Sequence, residues 1–419
     1  MFTNAKDAID WIHGARYKGQ KNGLENTRAL LAALHNPERR FRAAHIAGTN
    51  GKGSTAAFTE RALREAGYRT GMYTSPYLIR YNERVQVMGE PIPDTALIDI
   101  VNLLVQKSEG LVREGILPTT FELGTALAFE YFARMGVEVA AVEVGLGGRF
   151  DSTNVIGPEV SMIAAIGLDH MRILGDTVEE IAFEKAGIIK PGVPAVVQDQ
   201  PEGILDVFRK VARERGSRLT IATMPEIVEE TAHGARFCVG GVEYHTAMNG
   251  RHQLLNAALA IAGLREMGVD GEAIRRGVAK AKWPCRLEWV KGALIDGAHN
   301  PQGARSLRDY LERFFPGERI TLVTGMMHDK QTEACARILA PVCARVIATK
   351  VDEPRAAEPE SLAALYRSLG VETIAVDGVG NAVRAAMAQN GLKVFAGSLY
   401  IAGAVRQALA GDDCFPKDE

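Results

Sequence analysis

The chain has 419 residues, of which 47% are apolar and 24% are charged, as is typical of a soluble globular protein with two or three domains. Lysine plus arginine (49) nearly balances aspartate plus glutamate (51), so we expect no nucleic-acid or membrane partner. The five cysteines form no Cys-x-x-Cys pair, which argues against a zinc site or a disulfide framework. Asp7 and Asp10, close to the N-terminus, argue against a signal peptide, and the lack of a long apolar window argues against a membrane span. We therefore expect a cytoplasmic protein.

Residues 45–55, with the sequence HIAGTNGKGST, are predicted to bind phosphate. An apolar run over residues 41–46 predicts a strand, and the alanine-rich residues 56–66 predict a helix that Gly67 ends. Glycines in the loop between them let backbone N–H groups surround phosphate oxygens at the helix N-terminus. This order of strand, loop and helix therefore indicates nucleotide binding.

Individual side chains of this loop have expected roles. Lys52 can reach the terminal phosphates, and Ser54 or Thr55 could lie beside Mg²⁺. Two positions depart from the standard P-loop: Ile46 stands where that pattern has glycine, and Gly53 stands where it has serine or threonine. A glycine-rich turn without a ligand is the alternative interpretation.

Strands and helices alternate beyond the loop. Strands are predicted at residues 70–74, 138–144, 159–166 and 194–198, and helices at 94–114, 120–135 and from Val178 onward. Asp176 or Thr177 can cap the last of these helices, with Glu179 or Glu180 completing a capping box. Apolar strands separated by helices predict a doubly wound parallel sheet with helices on both faces.

A second alternation follows residue 290. Strands are predicted at residues 293–295, 319–324, 345–349, 372–376 and 393–396, and helices at 301–315, 332–342, 360–369 and 379–389. The α/β chain therefore divides into an N-terminal P-loop domain, residues 1–290, and a smaller C-terminal Rossmann-like domain, residues 291–419. We expect a ligand site in a cleft between these domains.

Polar residues follow two predicted strands of the first domain. Glu143 ends one apolar strand, and Asp169 and His170 follow the next. The carboxyl ends of parallel strands share one rim with the phosphate loop, and Mg²⁺ prefers oxygen ligands, so Glu143 is a candidate metal ligand. His170 is either a further ligand or a hydrogen-bonded loop histidine.

Lys185 lies in an otherwise largely apolar helical pattern. If its side chain is exposed, it is an ordinary surface lysine whose stem covers apolar neighbours. If it is buried, desolvation lowers its pKa, and a neutral amine can react with CO₂ to give a carbamate that supplies a carboxylate for metal.

The segment DGAHNP, residues 296–301, follows the first predicted strand of the second domain. Asp296 and His299 could meet nucleotide, with a helix cap and an idle histidine as the alternative. Pro301 suits the first turn of the next helix. Arg286, close to the domain boundary, could reach nucleotide or could be a solvated surface arginine.

Taken together, these motifs resemble the folylpolyglutamate synthase and dihydrofolate synthase family, which is related to the Mur peptidoglycan ligases. The loop with Gly53 between lysine and hydroxyl matches that family's variant. Further matching motifs follow in family order over nearly the whole chain: SPYL at 75–78, NER at 82–84, residues 143–154, LDH at 168–170, residues 184–190, GRHQ at 250–253 with Asn256, DGAHNP at 296–301 and GSLY at 397–400.

The resemblance implies a role for each matching position. ATP would be bound by Asn50, Gly51, Lys52, Gly53, Ser54, Thr55, Asn256, Arg286 and Asp296. Ser75, Glu143 and His170 look like the family's Mg²⁺ ligands, Lys185 falls on the lysine that the family carries as a carbamate, and His299 lies at a position near the phosphates. The segments that hold the pterin substrate would be Gly23, Leu24, Glu25 and Asn26, then Thr119, Thr120, Phe121 and Glu122, then Phe150, Asp151 and Ser152. Lys52, Lys185 and His299 would be catalytic.

One position departs from the family. Cys285 stands where glycine usually precedes Arg286, and glycine tolerates backbone angles that cysteine resists. A side chain at residue 285 would therefore be expected to alter the backbone that places Arg286.

The implied reaction is ATP-dependent ligation of L-glutamate to a folate or dihydropteroate carboxylate through an acyl phosphate, giving ADP and phosphate. Two Mg²⁺ sites are expected, one of them using the carbamate on Lys185, together with domain closure that excludes water and a monomeric state. A Mur-type ligase of cell-wall precursors is one alternative, but only about forty residues precede the phosphate loop, which leaves little room for an additional N-terminal domain. A P-loop switch NTPase is another, which would not need a second α/β domain.

Overall fold

The computed structural model describes residues 1–15, 23–328 and 330–410. These residues form two compact units. The N-terminal unit comprises Met1–Glu226, Cys238–Tyr244 and Leu254–Ala281, and the C-terminal unit comprises Ile227–Phe237, His245–Gln253 and Lys282–Glu419. This division assigns the chain to the C-terminal unit from Lys282 onward. The domain boundary near residue 290 stays a prediction.

The N-terminal unit contains an eight-stranded sheet in the order β4-β3-β2-β5-β1-β6-β7-β8. Its strands are β1 (Arg42–Ala47), β2 (Thr70–Tyr73), β3 (Val85–Val87), β4 (Glu90–Pro91), β5 (Val139–Glu143), β6 (Val160–Ile163), β7 (Ala195–Gln198) and β8 (Leu219–Ala222). The pairs from β2 through β8 are parallel, whereas β3 and β4 continue the sheet antiparallel. Strand β1 is central, with β5 on one side and β6 on the other, so the loops after these three strands meet at one edge.

Helices cover this sheet. They are α1 (Ala5–Gly14), α2 (Glu25–Ala33), α3 (Lys52–Glu65), α4 (Asp94–Arg113), α5 (Thr120–Arg134), α6 (Met171–Leu174), α7 (Val178–Ala186) and α8 (Glu202–Glu214). One core cluster joins α1, α2, α4 and α5 to β2, β3 and β5, and another joins α7 and α8 to β6 and β7. Ala43 of the first cluster and Ala47 of the second lie on the same side of β1, so both clusters bury one face of the sheet. Helix α3 also packs against β1, β2 and β5.

Several predicted details are confirmed. Thr177 caps α7, and its hydroxyl accepts a hydrogen bond from the Glu180 N–H while the Glu180 carboxylate accepts from the Thr177 N–H. Gly67 follows the end of α3 in a left-handed conformation (φ 91°). The start of α3 differs from the prediction of residue 56, because α3 begins at Lys52 and its first turn contains the phosphate loop's lysine and hydroxyls.

A three-stranded sheet follows in the order β11-β10-β9, and sequence analysis missed it. Its strands are β9 (Glu226–Thr231), β10 (Gly234–Val239) and β11 (Val242–Thr246). Strand β9 carries mostly polar, exposed side chains, so it lacks the apolar run that identified the other strands. Helices α9 (Arg251–Glu266) and α10 (Gly271–Lys280) come next, and α10 packs against α3.

The C-terminal unit contains a six-stranded sheet in the order β12-β13-β17-β14-β15-β16. Its strands are β12 (Glu288–Val290), β13 (Ala293–Ile295), β14 (Ile320–Thr324), β15 (Arg345–Ala348), β16 (Glu372–Ala375) and β17 (Leu392–Ala396). The helices are α11 (Pro301–Phe314), α12 (Thr332–Leu339), α13 (Pro359–Ser368), α14 (Val379–Met387) and α15 (Leu399–Ala410). Only β12 runs antiparallel to its neighbour among the described strand pairs of this sheet. Both predicted α/β sheets are therefore confirmed.

No helix in the described parts of the chain combines the length and apolar character that crossing a membrane requires. The cysteines at 238, 285, 335 and 343 are free thiols, and Cys414 lies outside the described residues.

Candidate active site

The phosphate loop joins the end of β1 to the start of α3. Its backbone is held by the neighbouring loop after β6, because the N–H groups of Thr49 and Asn50 both donate to the Ala165 carbonyl, at 2.7 and 3.2 Å. The Thr49 hydroxyl also donates to the Gly167 carbonyl at 3.1 Å. Gly51 has a φ of 90°, which turns the chain into α3 and which residues with a side chain rarely adopt.

The side chain of Lys52 lies among acceptors at this edge of the sheet. Its ammonium group is 3.3 Å from the Thr49 carbonyl oxygen and 3.8 Å from Glu143 Oε1. The other carboxylate oxygen of Glu143 accepts a hydrogen bond from the Ser75 N–H at 3.1 Å. Glu143 ends β5 and its side chain is 5% exposed, so a buried carboxylate, a cation and the loop after β2 meet here. Lys52, Ser75 and Glu143 are thus brought together.

Asn256 on α9 also lies at the loop. A Cβ on Gly51 would be 2.3 Å from Asn256 Oδ1, so the amide packs directly on the loop's backbone. Gln198, the last residue of β7, donates from Nε2 to the same oxygen at 2.8 Å. Sequence analysis did not single out Gln198. The pattern that identified Glu143, a polar residue at the end of an apolar strand, could also have identified Gln198.

Lys185 is buried in α7, as only 4% of its surface is exposed. Burial, together with the positive charge of Lys52, lowers the pKa of its ammonium group to about 7, and the nearby carboxylates of Asp169 and Asp151 oppose this shift. A large share of the amine is therefore neutral near neutral pH, which is the form that reacts with CO₂. This excludes the exposed surface lysine of the alternative interpretation.

His170 lies in the loop after β6, in a left-handed backbone conformation (φ 52°). Its side chain is 43% exposed, and its ring Nε2 is 3.9 Å from Asp169 Oδ1. The backbone N–H of His170 donates to the same oxygen at 2.9 Å. The imidazole is therefore partly accessible to solvent.

The donor set at Glu143 fits Mg²⁺. In the described ranges no group of three or more histidine, cysteine, aspartate or glutamate side chains could hold a metal ion. Glu143 nevertheless offers a buried carboxylate beside the phosphate loop. Mg²⁺ is usually held by one or two carboxylates, with water and substrate phosphates completing its shell, so this sparse arrangement suits it.

The first two predicted pterin segments are linked through a buried carboxylate. Glu122 accepts hydrogen bonds from the Thr119 N–H at 2.8 Å and from the Thr27 hydroxyl at 3.1 Å. Asn26 Nδ2 donates to the Leu117 carbonyl at 3.3 Å, and the Thr120 hydroxyl donates to the Ala15 carbonyl at 3.1 Å. Residues around the start of α2 therefore lie beside the start of α5. The predicted residues Gly23, Leu24 and Glu25 precede Asn26 in this region.

The third predicted segment is anchored by Asp151. Its carboxylate accepts from the N–H groups of Gly145 and Leu146, at 3.1 and 2.9 Å, and from the Thr153 hydroxyl at 2.5 Å. The neighbouring Ser152 is fully buried, whereas Phe150 is 41% exposed. Asp151 therefore shapes the loop after β5, and Phe150 presents an aromatic surface to solvent.

Phe121 lies close to the same loop. A Cβ on Gly145 would be 2.3 Å from its ring, so the ring packs on bare backbone. The second and third predicted segments thus approach each other at the end of β5.

In the C-terminal unit, Asp296 is buried after β13. Its carboxylate accepts from the N–H groups of Leu287 and Ala298, at 2.9 and 2.8 Å. Burial raises its pKa, and the charge of Arg286 opposes that shift. His299 Nδ1 is 2.8 Å from the Gly297 carbonyl oxygen, so its Nδ1–H donates there and Nε2 is the acceptor in the neutral ring. Pro301 occupies the first turn of α11, as predicted, and Asn300 caps this helix.

Cys285 adopts the left-handed conformation (φ 57°) that glycine favours, and its side chain is fully buried. Its carbonyl accepts from Arg286 Nη1 at 2.9 Å and from the Gly297 N–H at 2.8 Å. The backbone at this position therefore places Arg286 beside the Asp296 loop despite the cysteine.

Comparisons with known proteins agree with this geometry. The Mur ligase middle domain family matches residues 46–264, and the Mur ligase glutamate ligase domain family matches residues 285–399. A dihydrofolate synthase/folylpolyglutamate synthase of Bacillus subtilis is 38% identical over 98% of this chain and 100% of its own length. A crystal structure of folylpolyglutamate synthase from Thermotoga maritima has 34% identity and a TM-score of 0.87, covering 97% of each chain.

A further structure, of Mycobacterium tuberculosis folylpolyglutamate synthase complexed with ADP and AMPPCP, has 29% identity and a TM-score of 0.88, covering 97% of this chain and 99% of that one. The similarity extends over both units and includes the phosphate loop. The chain therefore belongs to the folylpolyglutamate synthase and dihydrofolate synthase family within the Mur ligases, and it is an ATP-dependent ligase.

Proposed function

We propose that this ligase joins L-glutamate to the free carboxylate of both dihydropteroate and reduced folates, forming ADP and phosphate. The observation that carries the proposal is the contact of Lys52 with Glu143, whose carboxylate also accepts a hydrogen bond from the Ser75 N–H. This contact lies on the same edge of the sheet as the loop of residues 145–152. The Bacillus subtilis relative is named for both activities, which supports two acceptors rather than one.

The chemistry follows from the poor reactivity of a carboxylate toward amines. An oxygen of the acceptor carboxylate attacks the γ-phosphorus of ATP, and the bond to ADP breaks, which leaves an acyl phosphate. The amine nitrogen of glutamate then attacks the acyl carbon and loses a proton. The tetrahedral intermediate collapses as the carbon–oxygen bond to phosphate breaks, giving an amide and inorganic phosphate.

The phosphate loop stabilises the charge that develops on the transferred phosphoryl group. The backbone N–H groups of Gly51, Gly53 and Ser54 are proposed to bind the phosphates at the start of α3, where the helix dipole favours an anion. The ammonium group of Lys52 then exchanges Glu143 for phosphate oxygens, a type of electrostatic contribution that is large in phosphoryl transfer. Asn50 and Thr55 complete the proposed loop contacts.

Ser75, Glu143 and His170 are the proposed Mg²⁺ ligands, and Lys185 as a carbamate is proposed for a second site. Bound Mg²⁺ supplies positive charge to the phosphates. The support for Lys185 is its burial and its pKa of about 7, since carbamate formation requires a neutral amine. Glu143 retains the Ser75 backbone contact, which fixes its carboxylate at the end of β5.

The remaining nucleotide contacts are proposed for Asn256, Arg286 and Asp296, with His299 close to the phosphates. Asn256 is supported by its packing on Gly51. In the C-terminal unit, the hydrogen bonds of Asp296 to backbone N–H groups fix the loop that carries His299, so both residues have defined positions within their own unit.

The acceptor is proposed to lie against residues 23–26, 119–122 and 150–152. Phe121 and Phe150 offer aromatic surfaces on which a planar pterin can stack. The carboxylates of Glu122 and Asp151 accept hydrogen bonds from backbone N–H and hydroxyl groups. We therefore propose that these two residues hold the segments in shape. We further propose that the protein acts as a monomer in the cytoplasm, with small molecules as its partners.

The test is an assay of the purified protein with ATP, Mg²⁺ and L-glutamate, supplied with either dihydropteroate or tetrahydrofolate. We expect ADP and phosphate to form with either acceptor, and only when glutamate is also present. Formation of AMP, or equal ATP hydrolysis without glutamate, would contradict the ligase mechanism. Turnover of one acceptor alone would reduce the proposal to a single activity.

A further inference from the structure

Asn154 lies at the end of the loop that begins at Glu143, and its side chain is 5% exposed. Its amide nitrogen Nδ2 donates to two carbonyls, that of Arg149 at 3.0 Å and that of Gly187 at 3.1 Å. Arg149 directly precedes the proposed acceptor segment, and Gly187 directly follows α7. One side chain therefore joins two backbone segments that are 38 residues apart in the sequence, from 149 to 187.

The two segments touch each other without intervening side chains. The Arg149 N–H donates to the Glu184 carbonyl at 2.8 Å. A Cβ on Gly148 would lie 2.9 Å from Lys185 Cα, and a Cβ on Gly187 would lie 2.5 Å from Arg149 Cα. Contact between backbones at this separation leaves no flexible side chain to absorb a shift, so a movement of one segment displaces the other.

Both segments are also fixed to the central sheet. The Ser161 hydroxyl on β6 donates to the Ile188 carbonyl at 2.8 Å, and half-buried Lys190 donates from Nζ to the Asn154 carbonyl at 2.6 Å. On the other side, His45 Nε2 on β1 lies 2.9 Å from the Thr153 hydroxyl. The Thr153 hydroxyl itself donates to Asp151, so His45 Nε2–H is the donor in that contact.

We propose that Asn154 is a positioning residue that holds the acceptor segment of residues 150–152 and the Lys185 end of α7 in one fixed arrangement. The inference rests on the proposed function for its link to catalysis, because that function places the acceptor on one segment and the carbamate on the other. Asn154 contacts neither reacting group. It acts through the carbonyls of Arg149 and Gly187, and Lys190 supports it from its other side.

The test compares Asn154→Ala with Asn102→Ala. Asn102 is a matched control in the same unit, because it is also buried and its side-chain amide also forms hydrogen bonds with the backbone. It accepts from the Phe2 N–H and donates to the Phe2 carbonyl. We expect Asn154→Ala to raise the KM for dihydropteroate by about tenfold or more, equivalent to about 1.4 kcal/mol, and to lower kcat, with the KM for ATP changed less than about twofold. Asn102→Ala is expected to leave both KM values near the wild-type values.

A second variant keeps the proposal open to contradiction if Asn154→Ala does not fold. Lys190→Met removes the bond to the Asn154 carbonyl but leaves the Asn154 side chain in place, and it should change the same two parameters in the same direction by a smaller factor. Equal changes in the KM for dihydropteroate and for ATP, or values matching those of Asn102→Ala, would overturn the positioning role.

A readout that does not depend on activity separates this inference from the proposed function. We expect hydrogen exchange of the backbone amides of residues 149–152 and 184–188 to accelerate together in Asn154→Ala, and to be unchanged in Asn102→Ala. If the wild-type protein used neither acceptor, the proposed function would fail while this coupling could still be observed. Acceleration of one segment alone would overturn the coupling itself.

Discussion

The ammonium group of Lys52 lies 3.8 Å from the carboxylate of Glu143. The two residues belong to adjacent parallel strands and their loops, since Ile46 of β1 is in register with Glu143 of β5. Both side chains are largely buried, so each keeps the other's charge compensated in a region of reduced solvation. In the proposed mechanism, nucleotide phosphates take over Lys52, and the carboxylate of Glu143 is then left at this edge of the sheet to bind a cation.

Lys52→Met should lower kcat by about 100-fold or more, because it removes the charge that faces the transferred phosphoryl group. Lys52→Arg should restore little, since a planar guanidinium is not a compact point charge. Steady-state rates measure both effects. Lys6→Met, at a lysine whose side chain is 83% exposed, is the control. A loss smaller than about fivefold in Lys52→Met would argue against the phosphate contact.

Glu143→Gln should raise the Mg²⁺ concentration for half-maximal activity by about tenfold or more, because an amide is a weaker ligand than a carboxylate. Glu159→Gln is the matched control. Glu159 precedes β6 at the opposite end of the parallel strands, and its carboxylate pairs with Arg42 at 3.5 Å. A Mg²⁺ titration distinguishes the two variants, and identical titrations would reject Glu143 as a ligand.

Lys185→Met should abolish synthesis while stabilising the fold. Burial lowers the pKa of Lys185 to about 7 in the folded state, against the ordinary value of 10.5. Between these values the unfolded state binds more protons, so the stability of the wild-type protein increases with pH across this window. At pH 7 and below, Lys185→Met should raise the free energy of unfolding by roughly 5 kcal/mol, and this gain should disappear toward pH 10.5.

Urea unfolding in CO₂-free buffer at two pH values measures this difference. Activity is assayed separately with added bicarbonate, which should activate the wild-type protein more strongly as the pH rises through 7 and the amine loses its proton. Near-normal synthesis by Lys185→Met would rule out the carbamate, and a constant stability difference between pH 6.5 and 9.5 would contradict the lowered pKa.

Cys285→Gly should be more stable than Cys285→Ala by about 1 kcal/mol, which reverses the usual order of glycine and alanine. Both variants remove the sulfur, so the comparison isolates the backbone, whose φ of 57° favours glycine. At Ala281, where φ is −62°, Ala281→Gly should show the ordinary loss of stability. Thermal unfolding measures all three variants. Greater stability of Cys285→Ala would indicate a relaxed backbone at this position.

Much of the fold was predictable because its signals are local. The Thr177–Glu180 capping box, the Asn300–Pro301 start of α11 and strands such as β13 all depend on residues a few positions apart. The strand-end position of Glu143 and the apolar helix around Lys185 likewise pointed to the site. Strand β9 was missed because its side chains are mostly exposed, and polar strands lack the apolar run that marks a buried one.

By itself the sequence determined the alternation of strands and helices, the phosphate loop and the residue types able to serve phosphoryl transfer. The tertiary structure decided which of these meet. It placed Glu143 and Ser75 at Lys52, Gln198 at Asn256, and Asn154 between Arg149 and Gly187. It also buried Lys185 enough to lower its pKa. Periodicity and capping act over a few residues, whereas these contacts depend on which strands become neighbours, and a linear pattern does not encode that order directly.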